Sequence, residues 1–100
     1  MEKNTPHCKL AVVKALVGAG KVRATSTAFA GAAALGMDFT AIMAVVDGLT
    51  AADFDKSMTT YGNHRIWQDL YCPITVTGEI YLKLTVIDGV LIVSFKEAAP

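Results

Sequence analysis

An Asp88-Gly89 dipeptide between two runs of β-branched and other apolar residues constrains this chain more than any other feature. It predicts a β-hairpin with a two-residue type I′ turn, because both central positions of that turn need a positive φ. The turn would set the register of the whole ribbon over residues 79–97. The expected cross-strand pairs are Ile87 with Val90, Thr85 with Ile92, Lys83 with Ser94, Tyr81 with Lys96, Val86 with Leu91, Leu84 with Val93, and Leu82 with Phe95.

This register predicts two unlike faces for the ribbon. One face holds only apolar side chains and must cover a core. The other face carries Tyr81, Lys83, Thr85, Ser94 and Lys96, with the Tyr81 phenol beside the Lys96 ammonium. A phenol next to an ammonium on an open sheet face is suited to binding an anion such as a phosphate group.

Length and charge bound the class of protein. One hundred residues with an apolar share of 53% predict one domain over residues 1–100, with 1–55 mainly helical and 56–97 forming an antiparallel sheet. The formal net charge of zero excludes a global basic field. Basic residues dominate 1–37 and acidic residues dominate 38–55, a distribution that by itself indicates ordinary solvated faces.

The cysteines and histidines do not form a metal-binding pattern. Cys8 and Cys72, with His7 and His64, have no recognised zinc spacing, so we expect no metal and no cofactor. Two isolated cysteines fit a reducing cytosol at least as well as a disulfide. No stretch approaches the ~20 apolar residues that span a bilayer. We expect a cytoplasmic protein.

The first half of the chain predicts helices, because apolar residues recur at helical spacing between capping residues and glycines. The expected elements are a helix from the Thr5 N-cap and Pro6 to the glycines at 18–20, an extended piece at 21–25, a helix capped by Ser26 through 27–35, a helix capped by Asp38 and ended by Gly48, and one helical turn at 50–54.

The second half predicts an antiparallel meander. Strands are expected at 57–61 and 65–71, separated by a Gly62-Asn63 turn, before the final hairpin. Helices followed by strands indicate an α+β fold, in which the helices pack on one face of an antiparallel sheet and leave the other face open.

The phase of the strand at 65–71 is left open by its pattern, because its apolar residues fall on both faces. If Trp67 and Tyr71 pack beneath the helices, Gln68 emerges on the open face and Asp69 points inward. In the other phase Gln68 is buried among apolar neighbours and must find hydrogen bonds there. The first phase leaves fewer unpaired polar groups, and we favour it.

In that phase the open face carries Lys56, Gln68, Tyr81 and Lys96, a set suited to a phosphodiester. Ammonium groups neutralise charge that develops at phosphorus, and a lysine crowded by another cation can act as a base. A tyrosine can give a proton to the leaving oxygen. RNA would supply its own 2′-hydroxyl as the nucleophile. Without further information, however, ordinary surface lysines and a half-buried tyrosine explain these residues better.

Short runs along essentially the whole chain, in order, carry a family resemblance: Met1-Glu2-Lys3, Thr5-Pro6-His7, Lys21-Val22-Arg23, Leu35-Gly36, Asp38-Phe39, the KSMTTY run at 56–61, Ile66-Trp67-Gln68-Asp69, Tyr81-Leu82-Lys83, and the VLIVSFKE run at 90–97. These runs resemble the MqsR toxin family. The resemblance implies a type II toxin–antitoxin toxin of RelE-like, microbial-RNase-like fold. It implies growth arrest through a metal-independent endoribonuclease that cleaves mRNA at short motifs without the ribosome.

The family's proposed catalytic positions correspond to Lys56, Gln68, Tyr81 and Lys96. Our hypothesis for their roles is that Lys56 and Lys96 clamp phosphate, one of them being a candidate base for the 2′-hydroxyl. Tyr81 would donate a proton or orient the phosphate, and Gln68 would position the substrate. A catalytically silent module that acts only in complex with an antitoxin is the alternative.

The implied partners are an mRNA substrate and a cognate, zinc-binding, MqsA-like antitoxin that docks by an unknown surface, an open edge strand being one candidate. DNA would be contacted only through that complex, and no membrane is involved. The sequence departs from the family pattern at Cys72, where an arginine usually follows the tyrosine, at Asn63, and in the tail from Glu97 to Pro100. With zero net charge, these departures predict weaker electrostatic capture of RNA.

Overall fold

A computed structural model describes residues 1–98, so that Ala99 and Pro100 of the non-basic tail lie outside the described residues. This range holds three helices, seven strands and a 3₁₀ turn at Ala51–Asp53. The elements are β1 Glu2–Lys3, α1 Leu10–Gly18, β2 Val22–Ala24, α2 Ser26–Ala34, α3 Phe39–Asp47, β3 Phe54–Thr59, β4 Trp67–Tyr71, β5 Ile74–Thr75, β6 Gly78–Val86 and β7 Val90–Glu97.

The strands form one sheet in the order β1-β3-β4-β6-β7-β2, with β5 added to β6. All pairs are antiparallel except β2, which runs parallel to β7. The helices cover one face. Their buried residues share one core with those of the sheet: Val13, Ala28, Ala32, Ile42, Val46, Leu82, Leu84, Ile92 and Phe95. The predicted α+β arrangement is confirmed, and a RelE-like fold is consistent with it.

Local signals account for two of the three helices. Asp38 caps α3 as predicted, since its Oδ1 accepts from the backbone N–H of Ala41 at 2.9 Å. The cap of α2 is Thr25 rather than the predicted Ser26. Thr25 Oγ1 accepts from the N–H of Ala28 at 3.0 Å and donates to the carbonyl of Val93 at 2.8 Å. The start of α2 is thereby tied to β7.

Small residues let α2 lie directly on the backbone of β7. Ala28 and Ala32 are fully buried there. A Cβ added at Gly31 would lie 1.9 Å from the carbonyl oxygen of Phe95, so no side chain fits at this position. The alanine-rich helix therefore supports the strand segment that precedes Lys96.

The predicted helix start at Thr5 and Pro6 is wrong, because α1 begins at Leu10. The N–H groups of His7 and Cys8 instead donate to the two carboxylate oxygens of Asp69, at 3.0 and 3.1 Å. Asp69 is 2% exposed, so these backbone groups satisfy a carboxylate that could otherwise not be buried. The tertiary contact outweighs the local capping signal.

The register of the final hairpin differs from the prediction near its turn. Val86 pairs with Val90, so residues 87–89 form a three-residue loop, and an irregularity next to Lys83 restores the predicted pairing beyond it. Asp88 and Gly89 do have positive φ angles, 52° and 119°. The corrected pairs are Val86 with Val90, Thr85 with Leu91 and Leu84 with Ile92, while Leu82 with Phe95, Lys83 with Ser94 and Tyr81 with Lys96 are confirmed.

The docking of β2 explains this shift. The N–H of Val90 donates to the carbonyl of Lys21 at 2.9 Å, and Val22 pairs with Val90 in the parallel register. With β2 in place, Val90 and Ile92 are almost fully buried, whereas the two-residue turn would have turned Leu91 inward. Burial against the helices therefore decides the register near the turn.

Within residues 1–98 no single helix is long and apolar enough to cross a membrane. Within the same residues, only α2 and α3 counted together are long and apolar enough, and the chain bends by 90° between these two helices.

Candidate active site

The phase of β4 decides which side chains reach the open face. Tyr71 pairs with Leu82 and Asp69 with Leu84, and both leucines belong to the helix-side core. Tyr71 and Asp69 therefore face the helices, which confirms the favoured phase. Gln68, in the alternate position, lies on the open face.

The cross-strand register arranges the open face in three rows. The rows are Met58–Gln68–Thr85–Leu91, then Lys56–Leu70–Lys83–Ser94, then Tyr81–Lys96 at the far end. All four sequence-predicted site residues lie on this face, but not in one tight cluster. Gln68 is level with Thr85, four residues along β6 from Tyr81, a separation of about 13 Å.

Tyr81 and Lys96 are side by side, as the sequence predicted. The Lys96 Nζ lies 5.1 Å from the centroid of the Tyr81 ring. Burial raises the pKa of the Tyr81 phenol, an effect that the nearby Lys56 charge opposes. The phenol is therefore neutral at physiological pH and able to donate a hydrogen bond or a proton.

Lys83 is a further cation at this position, and the candidate set from the sequence did not include it. Its Nζ lies 5.9 Å from the Tyr81 ring centroid, on the side nearer to Gln68. The alternation of β6 had placed Lys83 on the open face, so the signal was present in the sequence. Two ammonium groups, those of Lys83 and Lys96, therefore lie close to the Tyr81 ring.

Lys56 reaches the same face from β3 and is paired with an acid. Its Nζ lies 3.0 Å from Glu2 Oε1. The hydrogen bond and charge of Glu2 raise the pKa of the Lys56 ammonium, so this group stays protonated near neutral pH. The Lys56 and Glu2 side chains are 39% and 60% exposed, so water screens the pair. It therefore adds little to stability and acts mainly on Lys56 itself.

Glu2 lies in a run that carries the family resemblance, but nothing in the sequence gave it a role at the site. It lies on β1, a two-residue strand that pairs with β3 and places Glu2 opposite Met58. A strand this short has no periodicity to detect. It is held on one side by hydrogen bonds between Met1 and Thr59 of β3, and the chain that follows it is anchored at Asp69.

Cys72 follows β4 at the position next to Tyr81, because Tyr71 pairs with Leu82. Its backbone N–H donates to the carbonyl of Asp53 at 2.7 Å. Burial raises the pKa of the thiol. A neutral group therefore occupies the position where the resemblance leads one to expect an arginine.

The fold and the residues on this face identify the class of protein. It is a small α+β protein with a cationic, phenol-containing site on the open side of its sheet. Residues 5–97 match the model of the family described as "Motility quorum-sensing regulator, toxin of MqsA". A curated relative from Escherichia coli (strain K12), "mRNA interferase toxin MqsR", is 59% identical over 97 residues, which cover 97% of this chain and 99% of the relative. The chain belongs to the MqsR toxin family.

Proposed function

We propose that this toxin cleaves single-stranded mRNA on the open face of its sheet, by attack of the substrate's 2′-hydroxyl on the adjacent phosphorus. As an MqsR-family toxin it is an endoribonuclease, an mRNA interferase like its relative. The observation that supports this location is the presence of the Lys83 and Lys96 ammonium groups at 5.9 and 5.1 Å from the centroid of the Tyr81 ring.

The chemistry follows from the charge states of these groups. Glu2 holds Lys56 in its charged form, so Lys56 binds a phosphate oxygen rather than acting as a base. Lys96 is then the candidate base, and it must first give up its own proton before its neutral amine can take the one from the 2′-hydroxyl. As the 2′-oxygen bonds to phosphorus, the 5′-oxygen leaves with a proton from Tyr81, and a 2′,3′-cyclic phosphate results.

The residue types supply what the reaction needs without a metal ion. The substrate provides the nucleophile, and lysine side chains stabilise charge on the phosphoryl oxygens. Gln68 lies about 13 Å along the sheet from Tyr81, and this distance supports contact with a nucleotide near the cleaved bond rather than with the bond itself. We assign it to recognition of a short sequence motif, which would let the toxin act on mRNA without the ribosome.

A cognate antitoxin would restrain this activity in the bacterial cytoplasm. The family description, "toxin of MqsA", supports an MqsA-like partner, which we expect to bind zinc and to carry the contacts with DNA. Both ends of the sheet, β1 and β2, are edge strands open to strand addition.

The test is cleavage of a purified single-stranded RNA by the isolated chain in EDTA. We expect cuts that end in 2′,3′-cyclic phosphate and that are lost in Lys96→Ala. Lys14→Ala, which removes an equal charge from α1, serves as the matched control and should cleave normally. Absence of cuts by folded wild-type protein, or normal cleavage by Lys96→Ala, would overturn the proposal and favour a silent binding module.

A further inference from the structure

A second group of cations lies at a corner of the sheet, away from Tyr81. Here β2 meets the β6–β7 turn, and a cleft of about 510 Å³ opens between them. The cleft is lined by Leu16, Gly20, Lys21, Val22, Arg23, Asp88, Gly89 and Val90. None of the residues assigned to the reaction above belongs to it.

Arg23 connects this cleft to the open face. Its neighbours Val22 and Ala24 pack against the helix-side core, so the Arg23 side chain points to the opposite side of β2. Arg23 pairs with Leu91, which places it in the same row as Gln68, three strands away, or about 14 Å. This row of side chains connects the corner cleft to Gln68, the residue to which we assign recognition of the motif.

The charges at this corner are not neutralised by ion pairs. Across residues 1–98 the one ion pair within 4.0 Å joins Lys56 to Glu2. Lys21 and Arg23 are both exposed and therefore face solvent as cations. Asp88, the one acidic residue in the lining, approaches neither of them that closely.

The zero net charge of the chain therefore hides an uneven distribution. Arg23, Lys56, Lys83 and Lys96 all lie on the open face, and Lys21 adjoins it. A polyanion lying across this face from β6 to β2 meets Lys83, Lys96 and Arg23, none of which has an ion pair within 4.0 Å among residues 1–98. On the other side, Lys56 is paired with Glu2 of the edge strand β1. Electrostatic capture depends on this local field rather than on the total charge.

We propose that Lys21 and Arg23 bind the backbone phosphates of RNA nucleotides that lie outside the cleaved motif. The inference rests on the proposed function for the path of the RNA. This path runs from Tyr81 to Gln68 and then across β6 and β7 to the corner cleft. RNA is favoured over an acidic protein segment because the cleft is continuous, through the Arg23–Gln68 row, with the face that carries the reaction.

The experiment compares the double variant Lys21→Gln/Arg23→Gln with Lys9→Gln/Lys14→Gln, which removes the same charge from the start and body of α1. The probe is an unstructured, fully 2′-O-methylated 20-nucleotide RNA, which cannot be cleaved, so that binding is measured whether or not the protein has activity. We expect the first variant to bind about tenfold more weakly, with a salt slope smaller by about 0.7 per lost phosphate contact. Lys21→Arg/Arg23→Lys should restore the affinity.

A second arm uses short cleavable RNA containing only the mapped motif, whose cleavage should be unchanged in Lys21→Gln/Arg23→Gln. Equal binding of the 20-nucleotide probe by this variant and wild type would overturn the inference. A loss of cleavage rate on the short RNA as large as the loss of affinity for the 20-nucleotide probe would also overturn it. Retained RNA affinity with lost antitoxin binding would identify a protein-docking cleft instead. Wild-type protein that binds the probe through this corner but cuts no RNA would refute the proposed function alone.

Discussion

Glu2 holds Lys56 through an ion pair of 3.0 Å between Oε1 and Nζ, across the contact between β1 and β3. The pair joins the start of the chain to the candidate active site. Because Glu2 raises the pKa of Lys56, it favours the form that can bind a phosphate oxygen.

Removal of Glu2 should change the pH dependence of cleavage. In Glu2→Gln the pKa of Lys56 falls, so the ammonium loses its proton at a lower pH than in wild type. If the charged form is required, the alkaline limb of the rate profile moves to lower pH. Rates measured from about pH 8 to 12, each corrected for the alkaline hydrolysis of RNA without enzyme, test this, with Asp47→Asn on α3 as the control. An unmoved alkaline limb would show that Lys56 does not act as a cation in the reaction.

Replacement of Tyr81 by Phe should slow cleavage without unfolding the protein. The ring remains to fill its half-buried position, but the proton donor to the leaving oxygen is lost, which we expect to cost about 10²-fold or more in single-turnover rate. Tyr61, which is fully exposed, provides the control Tyr61→Phe. A Tyr81→Phe enzyme that cleaves at the wild-type rate would remove Tyr81 from the mechanism.

Cys72→Arg should tighten RNA binding. The substitution adds a cation beside Tyr81, on the row nearest to Lys96, and one new phosphate contact should steepen the salt dependence by about 0.7. Cys72→Ser keeps the position neutral and should bind as wild type does. Fluorescence anisotropy at several salt concentrations measures both. Identical slopes for Cys72→Arg and wild type would mean that RNA does not pass this position.

Gly31→Ala should destabilise the fold although alanine favours helices. Its Cβ would lie 1.9 Å from the Phe95 carbonyl oxygen, so α2 must move away from β7, at a cost of about 3 kcal/mol. Gly18→Ala in α1 meets no atom within 4 Å and should be neutral or stabilising by up to about 1 kcal/mol. Urea unfolding compares the two. Equal stability of both variants would contradict the close approach of α2 to β7.

Asp69→Asn should also destabilise the protein, by about 2 kcal/mol. Both carboxylate oxygens accept backbone N–H groups, from His7 and Cys8, and the amide of asparagine would turn one acceptor into a donor. Asp47→Asn on α3 is again the matched control. The free energy of unfolding measures the difference. Wild-type stability of Asp69→Asn would mean that the N-terminal segment is not anchored by this carboxylate.

The sequence by itself determined features that depend on near neighbours. The Asp38 cap and the glycine after α3 set the bounds of that helix, and the alternation along β6 placed Tyr81 and Lys83 on one face. The sequence also predicted the pairing of Tyr81 with Lys96 correctly. This pair lies on the far side of the irregularity next to Lys83, where the observed register agrees with the predicted one. These signals act over a few residues, so they survive in any fold that buries the apolar face.

Only the tertiary structure decided the rest. The hairpin register near Val90 depends on the docking of β2, and the start of α1 depends on a carboxylate, Asp69, that lies far along the chain. The ion pair of Glu2 with Lys56 follows from the pairing of β1 with β3, which lie far apart in the chain. In each case a contact between distant segments, which buries apolar surface or satisfies a buried charge, outweighs a local preference worth about 1 kcal/mol.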